Sequence, residues 1–133
     1  MRRYAPFLLL LWGCAPPPAI RSSGTAQPIV TERLYFGRNS GGTLAVSDSV
    51  WSVFVRDVVS ERLPAGFTFW SAEGAWRDSS GHSSREPSFV LEVVHPTRSP
   101  ATDSAIVAII AEYKRRFSQQ SVLRVITAGR ASF

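Results

Sequence analysis

The apolar residues in the first half of the chain follow two different spacings. Residues 30–37 contain the apolar run Leu34-Tyr35-Phe36 and end in a glycine-rich stretch, which predicts a first strand followed by a turn. Between residues 50 and 63 the apolar positions recur every three or four residues until Pro64, so this segment is predicted to be a helix. Ser47 can accept a hydrogen bond from the first turn of that helix and is its predicted N-cap.

The second half repeats these signals in a different order. Two extended segments, 67–76 and 88–95, are separated by a polar turn and predict a hairpin. A second helix is predicted to begin at a cap formed by Thr102 or Asp103, because apolar residues at helical spacing follow. Residues 122–127 predict a last strand.

The resulting order is strand, helix, strand, strand, helix, strand. This order predicts an α+β ferredoxin-like βαββαβ sandwich, in which two helices cover one face of a four-stranded antiparallel sheet. In this topology the first and third strands are central, and the third is the most continuously apolar strand of the chain, as a central strand should be.

One face of such a sheet has no helix over it, so its side chains are of interest. The strand residues expected to face the helices are Leu34, Phe36, Leu91, Val93, Leu123 and Val125. Alternation then sends Tyr35, Glu92 and Arg124 to the open face. Glu92 needs a partner on a central strand, and Arg124 or Arg33 could supply it. Three interpretations stay open: an ion pair within the fold or at a dimer interface, a ligand contact, or a misassigned face.

The first 13 residues predict an export signal. Two arginines precede a short apolar run that is well below the roughly 20 residues a helix needs to span a bilayer. Leu11-Trp12-Gly13-Cys14 resembles the lipobox of bacterial lipoproteins, although that pattern usually has a small residue at the position of Trp12. The resemblance implies cleavage before Cys14 and lipidation of its sulfur with acyl chains such as palmitate.

The segment after this cysteine predicts a tether. Residues 14–28 are rich in Pro, Ser and Gly and have little to bury, so the folded domain is expected to occupy residues 29–133. Acyl chains would anchor this domain to a membrane of the cell envelope. By resemblance to enterobacterial lipoproteins, Ala15 favours the outer membrane, facing the periplasm, over the inner membrane.

Charge and composition exclude several classes of function. The formal net charge is +5, but Arg2 and Arg3 belong to the predicted leader and the other basic residues are scattered, so we expect no nucleic-acid partner. A single cysteine and two histidines give no ligand cluster, so we expect no metal and no other cofactor. The motifs of nucleophilic, zinc and phosphate-binding enzymes are absent from the sequence.

The densest group of polar residues lies in the segment 76–88. In one interpretation it is a hairpin turn whose charged residues Arg77, Arg85 and Glu86 pair with one another or with solvent. In the other, the two arginines bind an anionic group and Trp76 stacks on the ligand. His82 and His95 are expected to have no catalytic role.

Four blocks of sequence resemble one known family. They are Leu34-Tyr35-Phe36-Gly37, Trp76-Arg77-Asp78, Arg85-Glu86-Pro87-Ser88 and the run from Tyr113 to Arg124. Over about residues 32–126 the chain resembles a bacterial lipoprotein family catalogued as domain of unknown function 3574. The resemblance implies hallmark residues but no activity. These residues are Tyr35, Arg77, Glu86, Arg116, Gln119, Ser121 and Arg124.

The hallmark residues would converge at one end of the sheet if they form a site. In the alternative, Arg116, Gln119 and Ser121 only terminate the second helix. We therefore predict a membrane-anchored envelope lipoprotein without enzymatic activity, which binds another envelope protein or pairs with itself as a homodimer. The alternative is a small enzyme or anionic-ligand binder with an Arg/Glu/Tyr cluster. The candidate ligand-binding residues are Tyr35, Trp76, Arg77, Arg85, Glu86, Glu92, Arg116, Gln119 and Arg124.

Overall fold

The computed structural model describes residues 25–77, 81 and 83–132. Its strands are β1 (Gln27–Gly37), β2 (Asn39–Ser40), β3 (Thr43–Leu44), β4 (Thr68–Arg77), β5 (Ser83–Pro96) and β6 (Leu123–Ala131). Its helices are α1 (Asp48–Phe54), which continues through a π-helical turn (Val55–Val59) into α2 (Ser60–Arg62), and α3 (Pro100–Phe117). Cys14, the predicted leader, most of the tether and His82 lie outside the described residues.

The four long strands form one antiparallel sheet in the order β4-β5-β1-β6. β1 and β5 are central, so the predicted ferredoxin-like α+β fold is confirmed. The short strands β2 and β3 form a separate hairpin between β1 and α1. None of the helices in the described ranges is long and apolar enough to cross a membrane.

The first helical segment begins and ends where the sequence predicts. The hydroxyl oxygen of Ser47 accepts a hydrogen bond from the Val50 amide at 3.3 Å, which satisfies one of the free donors of the first turn. The helical run ends at Arg62, and Gly66 follows with a φ of 113°, a conformation that glycine adopts at little cost.

The second helix begins two residues before Thr102, the earlier of its two predicted caps. α3 starts at Pro100, whose fixed φ suits a first helical position, and Ser99 precedes it. Thr102 is instead within hydrogen-bond distance of Ser99, at 2.6 Å between the hydroxyl oxygens, and Asp103 lies in the first turn. At the other end Ser118 takes a left-handed φ of 53° and terminates the helix.

The core between sheet and helices is built largely of aromatic rings. Trp51 stacks on Phe89 with ring centroids 4.5 Å apart, and Phe36 meets Tyr113 edge-on at 4.6 Å. Phe54 packs between Trp51 and Tyr113, so α1, α3 and both central strands share one cluster. Offset and edge-to-face pairs of this kind add about 0.5–1.5 kcal/mol each beyond their buried area.

The predicted faces are correct for the central strands and wrong for the last one. Leu34 and Leu91 are fully buried beneath the helices. Arg124, however, lies directly opposite Leu34 in the register and therefore also faces the helices. Leu123 and Val125 are turned to the open face, with 60% and 38% of their surfaces exposed. The reason is an ion-pair network around Arg124 that is described below.

The hairpin is confirmed, but its strands are longer than predicted. β5 begins at Ser83 rather than at residue 88, and Pro87 lies within it opposite Glu73. The ladder to β1 ends at the Gly37–Ser88 pair, and beyond it the Pro87 carbonyl accepts a hydrogen bond from the Arg38 amide at 3.1 Å. Much of the polar segment 76–88 is therefore paired strand and not loop.

A candidate site at the end of the first strand

A groove of about 880 Å³ opens where β1 ends, on the sheet face that has no helix. Its walls are the end of β1, the β2–β3 hairpin and the connection from α3 to β6. The residues that line it are Tyr35, Gly37, Asn39, Ser40, Gly41, Gly42, Gly74, Glu86, Ser88, Ser118, Gln119, Gln120, Ser121 and Leu123. Four of the hallmark residues, Tyr35, Glu86, Gln119 and Ser121, are thus brought together.

Small residues leave room for this groove. Gly37 pairs with Ser88 on β5, and Gly74 on β4 pairs with Glu86, so three of these four neighbouring positions carry little or no side chain. Tyr35 is half-buried and lies one step along the same face, where it adds an aromatic ring. The bare floor leaves space for a small molecule, and the aromatic flank offers a ring on which it can stack.

The Glu86 carboxylate lies over Gly37. Its Oε1 accepts a hydrogen bond from the Asn39 amide at 3.1 Å, which ties β5 to the start of the β2–β3 hairpin. A Cβ at position 37 would lie 2.7 Å from this oxygen, closer than atoms can pack. Glycine at position 37 is therefore a steric requirement for the position of the carboxylate.

The Gln119 side chain is held in one orientation from the other side of the groove. Its Nε2 donates to the carbonyl of Asn39 at 2.7 Å and to the carbonyl of Phe117 at 3.3 Å. Because both partners are acceptors, the amide nitrogen must face them and Oε1 must face away. This oxygen lies 3.4 Å from the position that a Cβ of Gly37 would occupy.

Tyr113 fixes the end of β1 from inside the core. Its hydroxyl donates to the Gly37 carbonyl at 2.8 Å, and the ring packs among the buried aromatics. Burial raises the pKa of the Tyr113 hydroxyl well above its ordinary value near 10, so the group remains a donor across the physiological range. Residues 37–39 are thus held by side chains from β5, α3 and the segment after α3.

A second cluster of charged groups lies under the helices. Glu32 is 2% exposed, in phase with Leu34 on β1, and the Arg124 guanidinium donates to both of its oxygens. Arg124 also donates to Asp103 in the first turn of α3, so the network joins the sheet to that helix. This pairing explains why Arg124 faces the helices, since a buried carboxylate requires a charged partner.

Burial raises the pKa of the Glu32 carboxyl, but hydrogen bonds from Arg124 and His95 and the charges of these partners outweigh it. The net result is a pKa below the ordinary value near 4.5. The same hydrogen bond to Glu32 raises the pKa of Arg124 above the ordinary arginine value. Both groups are therefore ionised at neutral pH.

His95 completes this cluster. Its Nε2 lies 3.1 Å from Glu32 Oε1, and its Nδ1 lies 2.8 Å from the carbonyl oxygen of Pro96. Both partners are acceptors, so the ring makes both hydrogen bonds only when both nitrogens carry a proton. The expectation that His95 has no catalytic role is untested, but it does have a structural one.

The other predicted site residues lie outside the groove. Glu92 is paired with Arg33 at 2.6 Å on the open face, which agrees with the ion pair predicted within the fold. Arg85 is 80% exposed and lies 3.7 Å from Glu73 across the hairpin. Trp76 and Arg77 are the end of β4, but their side chains lie outside the described set.

Arg116 points away from the groove. It is paired with Glu112 one turn earlier on α3, and its guanidinium lies 6.0 Å from the ring of Phe54. Hydrogen bonds from Arg115 and Arg116 lower the pKa of Glu112 to about 2, so this carboxylate stays ionised as their partner. Of the hallmark residues, four therefore line the groove, and Arg116 and Arg124 form ion pairs elsewhere. The side chain of Arg77 lies outside the described set.

Several residues of these two regions were missed by sequence analysis. Glu32 had a signal, because it occupies the same strand phase as the buried Leu34 and Phe36. Asn39 and Tyr113 act through backbone hydrogen bonds, for which the sequence holds no local signal. Among the described residues no group of His, Cys, Asp and Glu could hold a metal ion.

Comparison with known proteins identifies the family. Residues 31–133 match the family described as "Protein of unknown function (DUF3574)". The chain belongs to this family, as its sequence blocks predicted. No curated protein matches it.

Two solved structures resemble the fold. A phage SAM lyase in its apo state has a TM-score of 0.59 and 16% identity, and the match covers 87% of this chain and 97% of the lyase. A phage SAM lyase in complex with S-methyl-5'-thioadenosine has a TM-score of 0.56 and 18% identity, with 88% and 97% coverage. At these identities the likeness shows a shared fold.

The comparison corrects the predicted function. Both structural relatives are enzymes, and the match takes in nearly their whole length. The prediction of a non-enzymatic function is therefore wrong, and the comparison favours the alternative of a small enzyme. The predicted homodimer and envelope-protein partner stay predictions.

Proposed function

We propose that this protein is a small enzyme that cleaves a carbon–sulfur bond of a sulfonium nucleoside, with S-adenosylmethionine as the first substrate to test. The observation that carries the proposal is the groove at the end of β1, in which Glu86 is fixed over a bare glycine floor. The fold shared with phage SAM lyases supports the reaction class.

The charge of the groove favours a cationic substrate. Glu86 is the single charged residue among the described side chains that line it. Arg85, Arg116 and Arg124 are each paired with a carboxylate elsewhere, so the described lining offers no counter-charge to an anion. A fixed carboxylate in a partly enclosed groove attracts a sulfonium or an ammonium group and disfavours a ligand whose net charge is negative, whereas S-adenosylmethionine is a net cation.

The dimensions of the groove also suit a nucleoside. Its volume of about 880 Å³ lies within the range of roughly 300–1,000 Å³ that is usual for small-molecule sites. Tyr35 and Leu123 present an aromatic ring and an aliphatic side chain beside the polar floor. A purine can stack on the first, while hydroxyl and amide groups from Ser88 and Gln120 can bind a ribose.

The chemistry needs little from the protein beyond binding. The C–S bond breaks with both electrons remaining on sulfur, which becomes a neutral thioether, and the released carbon bonds to the carboxylate oxygen of its own fragment to close a lactone. Atoms and charge balance without a water molecule or an external base. Positioning the carboxylate against that carbon is the contribution expected of the groove.

A direct assay separates this proposal from a binding role. The full-length protein is incubated with S-adenosylmethionine, and S-methyl-5'-thioadenosine is measured by chromatography. Because Glu86 attracts the substrate cation but sulfur loses its charge in the reaction, Glu86→Gln should raise KM about tenfold and change kcat less. Glu92→Gln is the matched control, since Glu92 lies on the same strand and face but is paired with Arg33.

The outcomes are distinct. Formation of the thioether by the wild type and by Glu92→Gln, with a raised KM in Glu86→Gln, supports the proposal. No product above the uncatalysed rate, together with no calorimetric binding of S-adenosylmethionine or S-methyl-5'-thioadenosine, would overturn it.

A further inference from the structure

Two oxygen acceptors converge over Gly37 within the groove. The Glu86 and Gln119 Oε1 atoms lie 2.7 Å and 3.4 Å from the same point, the position of an ideal Cβ at residue 37. They come from two different parts of the chain, one from β5 and one from the segment after α3. A ligand group that enters this corner therefore meets two oxygen acceptors.

Neither oxygen is free to turn away. The Gln119 amide is oriented by two carbonyl acceptors on its nitrogen side, so the side chain cannot present a donor to the groove without losing both hydrogen bonds. Glu86 is held by the Asn39 amide, and Asn39 also supplies one of the carbonyls that orient Gln119. The peptide groups of one residue thus set the direction of both acceptors.

We infer that this corner is a subsite for a primary ammonium group of the substrate. An ammonium group has three donors and a positive charge, which matches one carboxylate oxygen and one amide oxygen better than any neutral donor does. A sulfonium has no hydrogen to donate, so it gains nothing from the Gln119 oxygen. The inference rests on the proposed function, because it assigns the amino group of the same substrate to one end of the same groove.

The subsite can be tested without the proposed reaction. The full-length protein labelled with nitrogen-15 is titrated with n-butylammonium, and n-butanol and butyrate serve as uncharged and anionic probes. We expect n-butylammonium alone to shift the amide signals of Gly37 and Asn39 and the side-chain amide of Gln119. Since a charge-assisted hydrogen bond is lost, Glu86→Gln should weaken this binding about tenfold.

A second variant tests the geometry and not the charge. Gly37→Ala places a methyl group 2.7 Å from Glu86 Oε1 and must displace the carboxylate, so it should weaken n-butylammonium binding as Glu86→Gln does. Glu92→Gln removes a carboxylate from the same strand outside the groove and should bind the probe as the wild type does.

The results distinguish this subsite from the proposed reaction. Equal shifts with butanol, or no shift at Gly37, Asn39 and Gln119, would overturn the subsite even if S-adenosylmethionine is cleaved. Ammonium-specific shifts that both variants weaken would support the subsite even if S-adenosylmethionine is neither bound nor cleaved, and in that case the proposed reaction alone fails.

Discussion

Glu32 and Glu86 are carboxylates on the two central strands, but they lie on opposite faces of the sheet. Glu32 is buried under α3, and its partners Arg124 and His95 both belong to the protein. Arg124 in turn donates to Asp103. Glu86 is half-buried in an open groove, held by a single backbone amide over a glycine. One carboxylate is neutralised internally, and the other is positioned but keeps its charge available to the groove.

The difference separates a structural charge from a functional one. A buried ion pair contributes to holding elements together, and removing one partner leaves the other uncompensated. A carboxylate that is held by a backbone amide beside a groove instead contributes little to stability, and its charge is available to interact with a ligand. The same substitution should therefore mainly reduce stability at Glu32 and mainly reduce ligand binding at Glu86.

The largest expected effect is on the stability of the Glu32 network. Glu32→Gln leaves Arg124 without its main partner and should lower the free energy of unfolding by about 3 kcal/mol. Glu86→Gln should lower it by less than about 1 kcal/mol. Urea denaturation followed by circular dichroism measures both. Similar losses in the two variants would remove the distinction between the regions.

Acid should weaken the Glu32 region selectively. The folded-state pKa of Glu32 is lowered, so its contribution to stability is present above its ordinary value near 4.5 and is lost as the pH falls through the lower folded value. We expect the stability difference between wild type and Glu32→Gln to shrink across this window. A difference that stayed constant down to pH 2 would show that ionisation of Glu32 is not its source.

A smaller effect on stability is expected for Tyr113, which joins the core to the end of β1 beside the groove. Tyr113→Phe removes the hydrogen bond to the Gly37 carbonyl but keeps the ring, so the free energy of unfolding should fall by about 1 kcal/mol. Tyr35→Phe is the control, since the Tyr35 hydroxyl makes no hydrogen bond to a described residue and its loss should change stability by less than about 0.5 kcal/mol. Thermal denaturation measures both variants. Equal changes in Tm for Tyr113→Phe and Tyr35→Phe would show that the hydrogen bond to the Gly37 carbonyl does not contribute to stability.

The smallest effect is expected for the pair on the open face. Arg33 is about half exposed, so Glu92→Gln should change the free energy of unfolding by roughly 0.5 kcal/mol or less, and added salt should diminish the change. A loss comparable to that of Glu32→Gln would mean that the two faces are not electrostatically different.

The periodicity of the sequence is sufficient to predict the fold but not the phase of its last strand. Apolar spacing locates α1, α3 and the central strands, because each presents one largely apolar face, interrupted on β1 by Glu32. β6 has Leu123 and Val125 on one phase and Ile126 with Arg124 on the other, so hydrophobicity alone favours burial of the first phase, which the structure exposes. The phase is set by Glu32, which lies on another strand and needs the charge of Arg124.

The candidate site was predictable only in part for a related reason. The resemblance to the family placed Tyr35, Glu86 and Gln119 together, and the structure agrees. It placed Arg116 and Arg124 with them, but both are paired with carboxylates elsewhere. The partner of Arg116 lies four residues earlier on the same helix and was predictable from helical spacing, whereas the partner of Arg124 lies on another strand. The role of Gly37 could not be predicted, since it depends on a close approach between two strands in space.

The helix α3 touches both regions, because Asp103 in its first turn meets Arg124 and Tyr113 in its last turns meets Gly37. Its 18 residues span about 27 Å. We therefore expect ligand binding in the groove to slow amide hydrogen exchange around residues 100–106, at the other end of this helix. Weakening the contact between Asp103 and Arg124 at the start of α3 would therefore lower the affinity of the groove for its ligand, although no residue that the ligand contacts has changed.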